Sequence, residues 1–140
     1  MPKWSDTAFM LTTPLSMVRD FSKAMGQPLD LKHPPSAGTY NEAQHEAVKL
    51  RKRLIMEEYL EVVAAIEREP DENVLKELAD LVYVTYGYAA TFGWNLDEAV
   101  RRVHASNMSK LGDDGKPIYR EDGKVLKSDN YKKPDLKDLV

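Results

Sequence analysis

Two stretches decide the fold: Leu54–Glu67, LIMEEYLEVVAAIE, and Leu75–Gly93, LKELADLVYVTYGYAATFG. In both, apolar residues return every third or fourth position, which is the period of an amphipathic helix. Working outward, Thr39 and Glu42 have capping-box spacing, so the first of these helices is expected to start at Thr39 and run to about Arg68, ended by Pro70. Asp71 is the expected N-cap of the next, which reaches Phe92 and is closed by Gly93. Asn95 and Glu98 repeat the cap spacing and open a helix to about Leu111. Upstream, a helix from about Ser16 to Met25 stops at Gly26, with Pro28 beyond. The loop LDLKHPPSAG follows it. From Gly112 to Val140 no period is visible beyond a hairpin expected around Ile118 to Val125, and Gly112–Gly115 reads as a turn. The predicted fold is all-α, an antiparallel bundle of four to five helices in a single domain over 1–140, with an irregular C-terminal tail at 112–140.

Composition narrows the function. A chain of 140 residues with net charge −3 carries no large basic surface, so a nucleic-acid polymer is not the expected partner. There is no cysteine, which removes disulfides, thiolate metal sites and thiol nucleophiles. MPKWSDTAFML has no sustained apolar run of the signal-peptide kind, and Leu81 to Trp94 is too short and too polar to span a bilayer. A cytoplasmic protein without membrane contact is expected.

The informative residues are carboxylates in the wrong place. With Glu58 as origin, Leu54 and Ala65 lie within roughly 40° on one side, and Val62 and Ile55 within roughly 60° on the other. Glu61 falls beside Leu54. Glu77 and Asp80 share an arc with Leu81, Val84 and Tyr88. Two helices thus each bring an i, i+3 acidic pair into a core-facing surface, with few basic residues expected on these inner arcs. Unpaired buried carboxylates are costly, and clustered ones raise each other's pKa. Divalent cations resolve both problems, and oxygen-only ligands suit magnesium, with manganese able to substitute. Glu57 sits on the shoulder of the arc, where it can pair with Arg53.

A rival metal motif is weaker. Glu42 and His45 form a single Glu-x-x-His, where di-iron bundles use two, and a solvated helix start explains it better. Phe21, Met25, Tyr83 and Tyr86 are expected in core packing rather than stacked on a base. Trp94 is expected to anchor the turn after Gly93, and His104 to lie at a surface or interface. No Gly-x-x-x-x-Gly-Lys-Ser/Thr is present, so any phosphate site is not a P-loop.

The pattern Glu58-x-x-Glu61, fifteen residues, Glu77-x-x-Asp80 resembles the metal-binding signature of the MazG-like all-α nucleoside triphosphate pyrophosphatases, a superfamily that also holds dimeric dUTPases and phosphoribosyl-ATP pyrophosphohydrolases. VHASNMSKL and GKPIYREDGKVLKSDNYKKPDL resemble the ends of its short free-standing bacterial and phage members. The likeness runs from about Met17 to Leu136. It implies that Glu58, Glu61, Glu77 and Asp80 hold magnesium, and that Glu57 orients or deprotonates the attacking water. It implies that Asn107 and Lys110 reach the nucleotide, and that Lys124, Lys127 and Tyr131 contact phosphate, across a subunit interface in a homodimer or homotetramer. The reaction it implies is hydrolysis of a nucleoside triphosphate to monophosphate and pyrophosphate, with dGTP or dUTP as leading substrates. The loop from Gln27 to His33 matches no single base. Two other readings stand beside it: a phosphoribosyl-ATP pyrophosphohydrolase, and a non-catalytic helical module whose acids form a cation-dependent binding surface.

Overall fold

The computed structural model describes residues 12–35 and 40–140, and it is all-α. Among the described residues are four helices: α1 (Pro14–Ala24), α2 (Glu42–Arg68), α3 (Asp71–Thr91) and α4 (Leu96–Met108). A two-stranded antiparallel ribbon, β1 (Ile118–Tyr119) and β2 (Val125–Leu126), and a short 3₁₀ turn, η1 (Lys137–Leu139), complete the irregular tail. The chain divides into two compact units, Met1–Asn95 and Leu96–Val140.

In the first unit α2 and α3 pack along each other, and α1 packs on α3. Capping chemistry sets the boundaries, and in places it differs from the sequence reading. α1 starts two residues earlier than expected: Thr13 accepts from the Ser16 N–H at 3.2 Å, Ser16 Oγ accepts from the Thr13 N–H at 2.9 Å, and Pro14 stands where no N–H is needed. α2 is capped by Asn41 and Gln44, whose side chains accept each other's N–H at 2.8 and 3.0 Å; Glu42 is its first helical residue. The expected cap Thr39 lies outside the described residues. Asp71 is not the N-cap of α3 but its first helical residue. Pro70 occupies the cap without a side-chain bond, and Asp71 and Glu72 instead face the positive end of the helix dipole. α4 ends at Met108, short of Leu111, because Lys110 and Leu111 donate to the carbonyls three residues back and tighten the chain out of the α-helix.

α3 closes at Gly93, whose φ of +71° continues the chain in a left-handed conformation. A Cβ at Gly93 would stand 2.9 Å from Asp30 Oδ1, so the glycine also admits the loop after α1. That loop is pinned to the end of α3 by the Leu31 N–H donating to the Thr91 carbonyl at 2.8 Å. Arg19 donates twice to Asp30 at 2.8 Å. Trp94 anchors the turn by packing with His33, Tyr88 and Phe92, and His33 also meets the Tyr88 hydroxyl at 2.6 Å.

Among the described residues of this unit, Val18, Ala47, Val62, Ala65, Tyr86, Ala89, Ala90 and Phe92 are the buried apolar ones. Of the four side chains expected in core packing, only Tyr86 is buried. Met25 is exposed past the end of α1, and Phe21 and Tyr83 stand half-exposed, edge to face at 5.7 Å. α2 also carries an exposed apolar stripe outside the arc that holds Glu58, made of Met56, Tyr59, Leu60, Val63 and Ile66.

In the second unit the tail returns along α4. Buried Ser106 donates to the Lys132 carbonyl at 2.6 Å, and the Lys132 N–H donates to Ser109 Oγ at 2.8 Å. Arg102 clasps Asp138 at 2.6 and 2.9 Å. The ribbon pairs Ile118 with Leu126 and Tyr119 with Val125, and Gly112–Gly115 forms the expected turn.

Candidate metal and substrate site

The α2–α3 seam brings Glu58, Glu77 and Asp80 together, each offering a carboxylate oxygen within 4.8 Å of the others. Glu58 sits between buried Val62 and half-buried Leu54 because its helical phase puts it there. Two oxygens, Glu58 Oε2 and Glu77 Oε2, are buried and accept no hydrogen bond from the described residues. Desolvation pushes the Glu58 carboxyl above its ordinary value; the charges of Glu61, Asp80 and Glu77, and a hydrogen-bonding contact with Glu61, add to the shift. Glu61 itself is exposed and stands at the edge of the cluster.

An all-oxygen donor set with two buried, unsatisfied lone-pair carriers fits a hard divalent cation. Expected scarcity of basic residues on these arcs needs correction. Lys76 reaches Asp80 Oδ2 at 2.9 Å and Glu77 Oε1 at 3.1 Å, and these two contacts hold its ammonium above the usual lysine range. Its signal in the sequence was the i, i+4 spacing to Asp80. Lys76 covers the outer oxygens and leaves the two inner ones unsatisfied. A second basic residue, Arg51, is only 6% exposed and lies on the same arc as Glu58, seven residues earlier. It was hidden in Lys49-Leu-Arg-Lys-Arg53, which reads as a solvated charge run; the seven-residue spacing from Glu58 was the available signal.

Glu57 is not gathered with the other carboxylates. It is exposed, with Oε1 3.7 Å from Arg53 Nε. Glu42 and His45 are exposed as well, and His45 stacks on Tyr40 with ring centroids 5.4 Å apart. Asn107, Lys110, Lys124, Lys127 and Tyr131 all belong to the second unit. There Asn107, Lys124 and Lys127 are exposed, Lys110 and Tyr131 half-buried, and the Lys127 ammonium lies 4.5 Å from the Tyr131 ring centre. His104 is exposed on α4. Among the described residues no helix is long and apolar enough to cross a membrane.

The family described as phosphoribosyl-ATP pyrophosphohydrolase matches residues 18–107. That span takes in α2, α3 and most of α1 and α4, and with them all three gathered carboxylates. An uncharacterized protein of Acanthamoeba polyphaga mimivirus is 33% identical over 98 residues, which are 68% of this chain and 36% of the viral protein. The chain therefore spans about a third of that relative's length.

Proposed function

Since the chain belongs to the phosphoribosyl-ATP pyrophosphohydrolase family, within the MazG-like superfamily its motifs resemble, we propose that it hydrolyses a nucleoside triphosphate to the monophosphate and pyrophosphate in a magnesium-dependent reaction. The observation that carries this reading is the pair of buried, unsatisfied oxygens on Glu58 and Glu77. Glu58, Glu77 and Asp80, with Glu61 at the rim, would hold the metal. When bound, magnesium or manganese supplies charge neutralisation on the phosphate oxygens.

The remaining work falls to the chain's own residues. Glu57 would aim a water and take its proton as the water oxygen bonds to the α-phosphorus. The bond from that phosphorus to the bridging oxygen breaks, and pyrophosphate leaves. This role for Glu57 is supported by the family resemblance alone, and it requires the side chain to leave Arg53. By the same resemblance, Asn107, Lys110, Lys124, Lys127 and Tyr131 would hold the nucleotide and its phosphates. dGTP and dUTP are the leading substrates. Phosphoribosyl-ATP is a second reading, favoured by the description of the matching family.

The exposed stripe of α2 supports a homo-oligomer. Leu60 and Ile66 are 61% and 63% exposed on a surface where a small helical domain gains most by pairing. Pyrophosphate release measured across the common nucleoside triphosphates and phosphoribosyl-ATP, with magnesium and with chelator, tests the proposal. Release that persists in chelator, or none from any of these substrates, overturns it.

A further inference from the structure

Arg51 is buried, and among the described residues no carboxylate pairs with it. Its hydrogen bond among them goes from Nη2 to Gln27 Oε1 at 3.1 Å. Burial draws its guanidinium below the usual arginine range. A guanidinium has five N–H donors, so most of this one's capacity is unspent. Nη1 lies against α3 at Gly87, where a Cβ would stand 2.6 Å away. The glycine makes room for the arginine. Replacing a buried ion by apolar side chains of similar volume is often neutral or stabilising, so the fold alone does not call for a charge here.

Beside the guanidinium is a cavity of about 100 Å³, lined by Phe21, Gln27, Arg51, Leu54, Tyr83 and Gly87 among others. Chemistry fixes the orientation of the Gln27 amide: its oxygen faces the arginine and also lies 3.5 Å from Ser22 Oγ, so its NH₂ is left to donate elsewhere. The polar lining is thus rich in donors. Phe21 and Tyr83, half-exposed and edge to face, supply ring surface beside it. The position along the seam is also telling. Leu54 precedes Glu58 by one turn on α2, and Val84, another lining residue, follows Asp80 by one turn on α3.

We propose that Arg51 and Gln27, flanked by Phe21 and Tyr83, form the pocket that reads the substrate's base and that it selects oxo bases, guanine above all, over amino bases. The inference rests on the ligand being a nucleotide, as proposed above. A donor-lined pocket satisfies the O6 and N7 acceptors of guanine, and an arginine spans the two at once. Uracil and thymine offer O4 alone at the matching edge and rank second. Adenine and cytosine present an amino group to donors and rank last. The cavity admits the edge of a base, and its ring faces meet Phe21 and Tyr83 at the mouth.

The test is titration of the full chain with dGMP, dUMP, dAMP and dCMP, which needs no turnover. dGMP is expected to bind about tenfold or more tightly than dAMP and dCMP, the discrimination typical of a bidentate arginine. Arg51→Gln should bring the four to within a few-fold of one another. Gln27→Glu gives the guanidinium a carboxylate partner, so it should keep the fold, read as helical content and melting temperature, while losing the preference; it serves where Arg51→Gln does not fold. Wild-type protein that binds dAMP or dCMP as tightly as dGMP, or binds none of the four at millimolar concentration, overturns the proposal. So does a folded variant that keeps the preference. The two readings fail separately: dGMP selectivity without pyrophosphate release from dGTP removes the enzyme and leaves the pocket, whereas pyrophosphate release without base preference does the reverse.

Discussion

Two places on the α2–α3 seam carry opposite charges. Glu58, Glu77 and Asp80 crowd three carboxylates together, with two buried oxygens that receive no hydrogen bond from the described residues. Two turns toward the start of α2, roughly 10 Å along its axis, Arg51 is buried, its hydrogen bond among the described residues going to the Gln27 amide oxygen. A chain selected only for stability would pair these charges or replace them with apolar groups. Here they stay apart, and Lys76, the cation that does reach Glu77 and Asp80, comes from the solvent side and is 64% exposed. Separate charges in one seam suit a ligand with different chemistry at its two ends: phosphates carried on a metal at the acids, and an acceptor-rich base at the arginine.

The carboxylate end carries the largest expected effect. Glu58→Gln, Glu77→Gln and Asp80→Asn should each lower turnover by a factor on the order of a hundred or more. Metal-free protein should melt no lower in these variants, and for Glu58→Gln higher, since a neutral amide relieves the desolvation and repulsion that raise its carboxyl pKa. Near-normal rates in any two of them would place the chemistry elsewhere. Gly87→Ala acts at the arginine end. Its Cβ must displace Arg51 Nη1, and we expect most of the base preference to disappear, about tenfold, with the magnesium requirement unchanged. A variant that loses both together would merge the two regions into one.

The contrast between these regions also explains what could be read from the sequence. Glu58 and Glu77 were legible because an acid inside an apolar 3.6-residue period breaks a pattern. Arg51 broke none, since its neighbours Lys49, Lys52 and Arg53 are solvated cations. Burial of the central member of a charge run depends on what α1 and α3 place against it, which local pattern does not record. The same limit applies to Phe21 and Tyr83: their spacing suits a core, yet they edge a cavity. The helices themselves were legible, and their ends shifted where a nearer cap prevailed, as Asn41 did for α2.

Smaller effects sharpen the comparison. Lys76→Met removes an ammonium that competes for Glu77 and Asp80, so magnesium should bind severalfold more tightly by titration, as expected for an exposed ion pair. Weaker magnesium binding would mean that Lys76 orders the carboxylates instead of competing. The Arg19–Asp30 pair braces the loop that carries Gln27. The hydrogen bonds from Arg19 hold the Asp30 carboxyl below its ordinary value, so the stabilisation is present above about pH 4 and is lost as pH falls through the lowered value. Both groups are partly exposed, and Asp30→Asn should cost under about 1 kcal/mol in denaturant melts at neutral pH, with a smaller difference in acid.

Hydrolysis of dGTP in ¹⁸O-labelled water, with magnesium and with excess chelator, in wild type and Glu58→Gln, tests the central claim most directly. The expected result is pyrophosphate and label in the monophosphate, in the wild type with magnesium, falling by a factor on the order of a hundred in the variant and stopping in chelator. Label in the pyrophosphate, or equal rates in the variant or in chelator, would contradict it.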